Sequence, residues 1–181
     1  MTIKKPESDR AEISSGNFEP VEPGDYIWQI GDGNRGIELK LSKNEESGWR
    51  GLNFPVQVVQ VVQGDEEAVD RRGSFSFTVM NNHDEPNQFI DETMGYILGY
   101  TDLLDKFVSK YGEEIDYTSQ EFVDDLNVKL TGKLIGIIHY NKTKGDYTNM
   151  QVGTWYKYGS DQPEVLDTEQ SAKKDESNAG W

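Results

Sequence analysis

The chain has 181 residues, with 33 acidic and 18 basic side chains and a formal net charge of −15. This length suits one domain with tails, and the absence of apolar runs near the ~20 residues that span a bilayer argues against a membrane helix. The absence of cysteine excludes disulfides and cysteine zinc sites and favours a reducing cytoplasm. The first residues, Met1 to Pro6, carry charge without an apolar stretch and do not fit a secretory signal.

The charge is unevenly distributed along the chain. Residues 84–126 hold twelve acids and two bases, a net of −10, whereas residues 127–159 hold one acid and five bases, a net of +4. Binding to phosphate depends on local Lys and Arg side chains more than on the total charge. The sequence therefore permits a nucleic-acid surface on an acidic protein.

The first part of the chain predicts an arm followed by four strands. Residues 1–17 are polar and lack periodicity, which predicts a flexible N-terminal arm. Alternating, β-branched or aromatic segments between Gly, Asn and Asp turns predict strands at 26–30, 37–41, 56–62 and 74–79. The third segment does not alternate strictly, which predicts burial on both faces or a β-bulge.

The period changes after Pro86. Apolar residues from Phe89 to Tyr111 recur at spacings of three and four, which predicts one amphipathic helix that Gly112 ends. Thr118 to Glu121 match a capping box that opens a second helix through about Leu126. We therefore predict a helical insert over residues 86–126.

Two more strands are predicted after the helices. Residues 134–140 and 150–158 alternate, with residues 141–146 as a hairpin loop, and residues 160–181 predict a disordered acidic tail. Four strands, helices and two strands indicate a mainly β fold with inserted helices, which we interpret as a single OB-fold-like small β-barrel over residues 18–159. A β-sandwich with a helical insert is the alternative.

Patterns typical of catalysis are weak. Neither a phosphate-binding glycine loop nor a nucleophile elbow is present in the sequence. His139 lies on a predicted strand and is expected to be a packed or edge side chain. Residues 83–85 (His-Asp-Glu) are expected to form a solvated turn rather than a metal site. Asp25 followed by Glu38 and Lys40 has the order of a metal-dependent nuclease core, but acid-x-lysine is also typical of a polar strand face. We expect a binding protein with no catalytic residues, metal or cofactor.

Aromatic residues give the clearest functional signal, because bases stack on exposed rings while Lys and Arg follow the backbone. Core packing does not explain Trp49, since the segment Gly48-Trp49-Arg50-Gly51 has no core periodicity. Alternation on the sixth strand places Trp155 and Lys157 on the face opposite Tyr156 and predicts that they point outward. The candidate nucleic-acid-binding residues are Trp49, Arg50, Arg71, Arg72, Lys142, Lys144, Tyr147, Trp155 and Lys157.

Near its end the chain carries Asp175 and Glu176, and four residues separate them from the last residue given, Trp181. This tail resembles those of single-stranded-DNA-binding proteins of bacteria and phages, which have an acidic tip ending in an aromatic residue. In those proteins the acids directly precede the aromatic residue, commonly Phe, so the pattern here departs from theirs. Such acids compete with nucleic acid for a basic groove, and an aromatic end anchors in a partner's pocket.

Three short segments resemble a family of small phage proteins from replication and recombination cassettes. They are residues 18–26 (Phe-Glu-Pro-Val leading to Gly-Asp-Tyr), 130–133 (Leu-Thr-Gly-Lys) and 147–150 (Tyr-Thr-Asn-Met). The resemblance implies an OB-type barrel that binds single-stranded DNA without catalysis. It also implies replication or recombination partners, met through Asp175, Glu176 and Trp181, and a place in the host cytoplasm for a phage-encoded protein. The alternative is an acidic protein-interaction module or DNA-mimic inhibitor, which the −10 segment suggests.

Overall fold

The computed structural model describes residues 20–112 and 114–160, which form one antiparallel six-stranded sheet and three α-helices. The predicted N-terminal arm and the tail from residue 161 lie outside these residues. The strands are β1 (Gly24–Ile30), β2 (Glu38–Leu41), β3 (Arg50–Gln63), β4 (Arg72–Met80), β5 (Leu134–Lys144) and β6 (Tyr147–Lys157). The helices are α1 (Ile90–Tyr100), α2 (Leu104–Tyr111) and α3 (Gln120–Leu130), with 3₁₀ turns at Glu45–Ser47 and Glu66–Ala68.

The long strand β3 organises the sheet. Its second half pairs with β1, and its first half pairs with β2 and β4. Beyond β1 the order continues through β5 to β6. β4 and β6 lie at the two edges and approach each other without pairing, and the Met150 side chain fills the space over Gly73 where a Cβ would stand. The prediction of a mainly β fold with inserted helices is confirmed, but the sheet is not closed into a barrel by hydrogen bonds.

The irregular third strand contains the predicted bulges. The pairing of β1 with β3 skips one residue of β3 at two places. Adjacent β1 residues 25 and 26 pair with Gln63 and Val61, and residues 27 and 28 pair with Gln60 and Val58. Val59 and Val62 are therefore the extra residues in the ladder. Such bulges bend a strand, and this bending lets β3 turn from β4 toward β1.

The main core lies between one face of the sheet and the helices. Tyr26 and Trp28 of β1 are fully buried there, with the Trp28 ring edge-on to Phe75. Helices α1 and α3 add buried aliphatic and aromatic residues at helical spacing, namely Met94, Ile97, Leu98, Phe122, Leu126 and Leu130. Burial of each such side chain contributes about 1.5–3 kcal/mol, which fixes the helices over this face and leaves the other face of β3 and β4 uncovered by them.

The helical insert differs from the prediction of one long helix. The helix ends at Tyr100 and restarts at Leu104, because Asp102 between them adopts a left-handed backbone conformation with φ of 60°. The buried Thr101 hydroxyl donates to the carbonyl of Ile97 at 2.7 Å. Gly112, with φ of 79°, ends the second helix as predicted.

Two further boundaries are corrected by the structure. The N-cap of α3 is Ser119 rather than Thr118, because the Ser119 hydroxyl accepts from the Phe122 amide at 3.1 Å, and the helix continues to Leu130. The predicted hairpin loop is mostly strand, since Lys144 pairs directly with Tyr147. The two residues between them form the turn, in which Gly145 has φ of 62°, as a type II′ turn requires at this position.

Candidate nucleic-acid interface

The face of β3 and β4 that points away from the core is polar. On β4 the buried Phe75 and Phe77 point inward, so the residues between them point outward. Across the pair, the Ser76 hydroxyl donates to Asn53 Oδ1 at 2.8 Å. We call this surface the β3–β4 face; it consists of Gly51, Asn53, Pro55, Gln57, Arg72, Ser74, Ser76 and Thr78. Pro55, which is buried, is its one bulky apolar residue.

Trp49 lies at one end of the β3–β4 face. Its indole Nε1 donates to Oγ1 of Thr78 at 3.1 Å. The ring occupies the space above Gly51, where a Cβ would stand 2.7 Å from two ring carbons. The side chain is half-buried. The prediction that core packing does not account for Trp49 agrees with this position, since the indole lies on the outer side of the sheet.

Arg72 lies at the opposite end of the β3–β4 face, paired across the sheet with Gln57. Its neighbour Arg71 approaches Asp65, with Nη1 3.8 Å from Oδ2. Arg50 begins β3, opposite Met80, and is half-buried. These three arginines flank the face, and part of the Arg71 charge is already balanced by an acid.

The β5–β6 hairpin carries the next group of candidate residues. Beyond His139, β5 pairs only with β6, so the hairpin projects past the rest of the sheet. Lys142, Lys144 and Tyr147 are exposed near its tip, and Tyr147 retains 77% of its accessible surface. Because Met150 adjoins Gly73, the base of the hairpin lies at the Arg72 end of the face.

Trp155 does not point outward, and that prediction is wrong. In the β5–β6 pairing, Ile138 faces Thr154 and His139 faces Val152, so Gly153 is an extra residue. One extra residue reverses the faces of all later side chains. Trp155 therefore packs against the core with its ring 5.7 Å from that of Phe77.

Lys157 and Tyr156 complete the sixth strand. Lys157 is exposed at the end of β6, but the same reversal puts it on the face of Trp155. Its ammonium forms an ion pair with Asp102 at 2.8 Å, at the junction of α1 and α2. Tyr156 is buried on the face opposite the main core, over Gly136, and donates a short hydrogen bond to Asp25. Burial raises the pKa of the Asp25 carboxyl despite this bond.

Arg35 is a cation near the interface that sequence reasoning missed. The carboxylate of the buried Asp32 accepts from Arg35 Nε at 2.7 Å and from the Asn34 and Arg35 amides at 2.9 and 2.8 Å. Burial raises the pKa of this carboxyl, but these hydrogen bonds outweigh burial and hold the pKa below its usual value. Arg35 Nη2 donates to the Gly73 carbonyl of β4 at 3.2 Å. The sequence signal was the turn predicted at residues 31–34, which ends just before Arg35 and gave no sign of an anion site.

The candidate catalytic and metal residues do not assemble into a site. Asp25 pairs with Gln63 and Glu38 with Asn53, at opposite ends of β3, which separates them by roughly 30 Å at about 3.3 Å per residue. Glu38 instead forms an ion pair with Lys40 at 2.6 Å. Within residues 20–112 and 114–160 no group of three or more His, Asp or Glu side chains is placed to share a metal ion.

The two histidines have the predicted environments. Residues 83–85 are exposed, in a turn that the Asn82 side chain caps by accepting from the amides of Asp84 and Glu85 at 3.0 Å. His139 is buried, and its Nε2 donates to the Val21 carbonyl at 3.0 Å. Burial lowers the pKa of His139 to about 4, so the ring is neutral at physiological pH.

Neither the protein-family models nor the curated proteins offer a relative from which to infer a function. No protein-family model matches the chain, and no curated protein matches it in sequence. Among the described residues, no helix is both long and apolar enough to cross a bilayer. The geometry of the β3–β4 face and of the hairpin is therefore the basis on which a function can be proposed.

Proposed function

We propose that this protein binds single-stranded DNA in phage-type replication or recombination. The observation that carries the proposal is the position of Trp49, whose indole is fixed on the outward, polar β3–β4 face by Thr78. Base–aromatic stacking contributes about 1–3 kcal/mol per base and tolerates any base. A fixed indole on an uncovered sheet face suits that role, and we propose binding without catalysis or a cofactor.

The sheet supports an OB-type arrangement within this proposal. OB folds are five-stranded, partly open Greek-key barrels that bind oligonucleotides on the face of strands two and three and on the loops joining strands one to two and four to five. The five long strands here are β1, β3, β4, β5 and β6, with the helices between the third and fourth of them. The adjacent edges of β4 and β6 are where such a barrel would be partly open.

This assignment brings the candidate residues to the expected binding surface. The β3–β4 face becomes the face of strands two and three, and Trp49 ends the connection between strands one and two. Lys142, Lys144 and Tyr147 lie on the connection between strands four and five. Arg72 and the hairpin lysines supply cations for phosphates, and the Ser and Asn side chains of the face supply hydrogen bonds.

The C-terminal tail has a role of its own in this proposal. Its residues from 161 onward lie outside those that the structure describes. We propose that Asp175, Glu176 and Trp181 bind replication or recombination proteins in the host cytoplasm. Residues 160–181 carry a net charge of −4, which would compete with phosphates for the basic residues. Removal of these residues should therefore raise the affinity for DNA, and equal affinity with and without them would contradict a competing tail.

A direct test is fluorescence anisotropy of a labelled single-stranded oligonucleotide titrated with the full chain at several salt concentrations. We expect binding that weakens as salt rises, because phosphate contacts release counterions. The variant Lys144→Gln should weaken binding, whereas Lys129→Gln, an exposed lysine on α3, serves as the matched control and should not. Absence of binding at low salt would contradict the proposal.

A second candidate function is an acidic protein-interaction module or DNA mimic. The observation that favours it is a groove between β4 and the segment before α3, which combines apolar side chains with acids. The groove is lined by Met80, Ile90, Asp91, Glu114, Ile115, Asp116 and Tyr117, among others, and Tyr117 donates to Asp91 at 2.5 Å. Binding to a basic DNA-handling enzyme together with no binding to DNA would favour this candidate, and loss of that binding in Glu114→Lys would locate it.

A further inference from the structure

We propose that Arg35 holds a phosphodiester group of the bound strand beside Arg72. This inference rests on the proposed DNA-binding function and adds to it an anion site that the aromatic and lysine pattern of the sequence did not indicate. Three features of the guanidinium support it: the contacts that hold it, the donors that remain, and its position relative to Trp49.

The guanidinium is fixed from two sides before any ligand binds. Asp32 Oδ2 lies 2.7 Å from Arg35 Nε, and the Gly73 carbonyl oxygen lies 3.2 Å from Nη2. The Asp32 side chain is only 1% exposed, and two backbone amides also donate to it, so its position is fixed by the turn. Because the arginine is already ordered, ligand binding here does not incur the entropy cost of ordering its side chain.

Arg35 retains donors for an anion. A guanidinium has five N–H groups, and two of them are used by Asp32 and Gly73. The other three, on Nη1 and Nη2, have no partner among the described residues, and the side chain is 36% exposed. Paired N–H groups of a guanidinium match the oxygens of a phosphate in a bidentate arrangement. A phosphodiester is therefore the ligand class that this group fits.

The site lies at the basic end of the β3–β4 face. Gly73, which accepts from Arg35, follows Arg72 directly and adjoins Met150 at the base of the lysine-bearing hairpin. The Asp32–Arg35 pair is neutral as a whole, so Arg72 supplies the net positive charge at this end.

A strand bound along the face would run from this site to Trp49. Thr78, which holds the indole, is five residues along β4 from Gly73, which corresponds to roughly 17 Å. A DNA strand with its backbone at Arg35 and one base stacked on Trp49 needs to be only a short oligonucleotide. That length lies within the ~4–16 nucleotides that an OB-type groove covers.

The test compares Arg35→Gln with the matched control Lys129→Gln in binding to oligothymidine and oligoadenine at several salt concentrations. We expect Arg35→Gln to lose affinity roughly tenfold for both sequences and to reduce the salt slope by about 0.7, as removal of one phosphate contact to a single strand should. Arg35→Lys should keep the slope while losing part of the affinity, because the charge remains and the fork is lost. Thermal unfolding of each variant shows whether it is folded.

A second measurement separates this inference from the DNA-binding proposal. The NMR signal of the Arg35 Nε–H group is followed while inorganic pyrophosphate is added to the wild-type protein. A shift in that signal supports the anion site even in a protein that fails to bind DNA. Unchanged DNA affinity and salt slope in a folded Arg35→Gln variant would overturn the inference while leaving the DNA-binding proposal standing. A loss of affinity for only one of the two sequences would also overturn it, since that indicates contact with a base edge.

Discussion

The indole Nε1 of Trp49 donates to Oγ1 of Thr78 at 3.1 Å, and this bond joins the residue before β3 to the outward side of β4. The ring lies over Gly51, the next residue but one in the chain. Two contacts thus hold the indole on the β3–β4 face in the absence of a ligand. A side chain already held in place does not lose entropy when a base stacks on it, so Trp49 is the centre of the functional account.

Substitution of the glycine beneath this ring tests the position of Trp49 without removing an aromatic residue. In Gly51→Ala the new Cβ would stand 2.7 Å from two indole carbons, so the ring must move. We expect the free energy of DNA binding, measured by anisotropy, to weaken by at most the contribution of one stacked base, about 1–3 kcal/mol.

Gly95→Ala is the matched control for that variant. Gly95 lies in α1 with open space around its Cβ position. This change should stabilise the helix by about 0.5–1 kcal/mol and leave DNA affinity unchanged. Equal DNA affinity in Gly51→Ala and the wild type would show that the position of the ring does not matter for binding.

Trp155 should behave as a core residue rather than a binding residue. It packs on Phe77 and is half-buried, so Trp155→Ala should cost about 2–3 kcal/mol of the free energy of unfolding, less than the ~3–5 kcal/mol typical of fully buried tryptophan. Urea unfolding measures this cost. Full stability combined with a loss of DNA binding would contradict the core assignment.

His139 should make stability depend on pH between about 6.5 and 4. Burial lowers its pKa in the folded chain to about 4, from 6.5 in an unperturbed histidine, and Nδ1 has no hydrogen-bond partner. The unfolded chain therefore binds the proton first, and the contribution of His139 is present above pH 6.5 and is lost as pH falls toward 4. The loss amounts to roughly 3 kcal/mol.

The variant His139→Gln isolates that contribution, because its side-chain amide keeps a donor for the Val21 carbonyl and does not titrate. The difference between wild-type and variant unfolding free energies should shrink as pH falls from 6.5 to 4. The subtraction is needed because burial raises the pKa of Asp25, which acts in the opposite direction in this range. A difference that stays constant with pH would show that His139 is protonated equally in both states.

Asn127 should be important for the segment between β1 and β2. Its side-chain oxygen accepts from the Ile37 amide and its nitrogen donates to the Ile37 carbonyl, both at 2.6 Å. Asn127→Ala leaves both groups without these partners and should cost about 1–3 kcal/mol in urea unfolding. Asn127→Asp keeps the acceptor but replaces the donor with a carboxylate oxygen that faces the Ile37 carbonyl oxygen, so it should also destabilise the protein. Unchanged stability in both variants would argue against the paired bonds.

The sequence predicted the sheet and core well where a residue's face follows from local alternation. Phe75 and Phe77 alternate with Ser and Thr, and both are buried as expected. The errors occur where one residue changes the local geometry. The extra residue at Gly153 turned Trp155 inward, and the left-handed conformation of Asp102 divided one predicted helix into two. Both features depend on packing against other elements, which periodicity does not encode.

In the candidate site, too, local sequence patterns were informative and contacts between distant segments were not predictable. Trp49 could be proposed from the sequence because its neighbours lack core periodicity, which is a local property. Arg35 was missed because its partner Gly73 comes from a distant strand, and no pattern in a single sequence joins the two. The short spacing to Asp32 was the one available signal, and it indicated only a turn.

The most direct test of the central claim is tryptophan fluorescence of the wild type and of Trp49→Phe during titration with a short single-stranded oligonucleotide, at low and then high salt. Trp28 is fully buried and Trp155 packs on Phe77, so among the described residues Trp49 is the tryptophan placed to meet a base. The account predicts quenching in the wild type that high salt reverses and that Trp49→Phe largely abolishes. Equal quenching in the variant, or no change in the wild type at low salt, would contradict it.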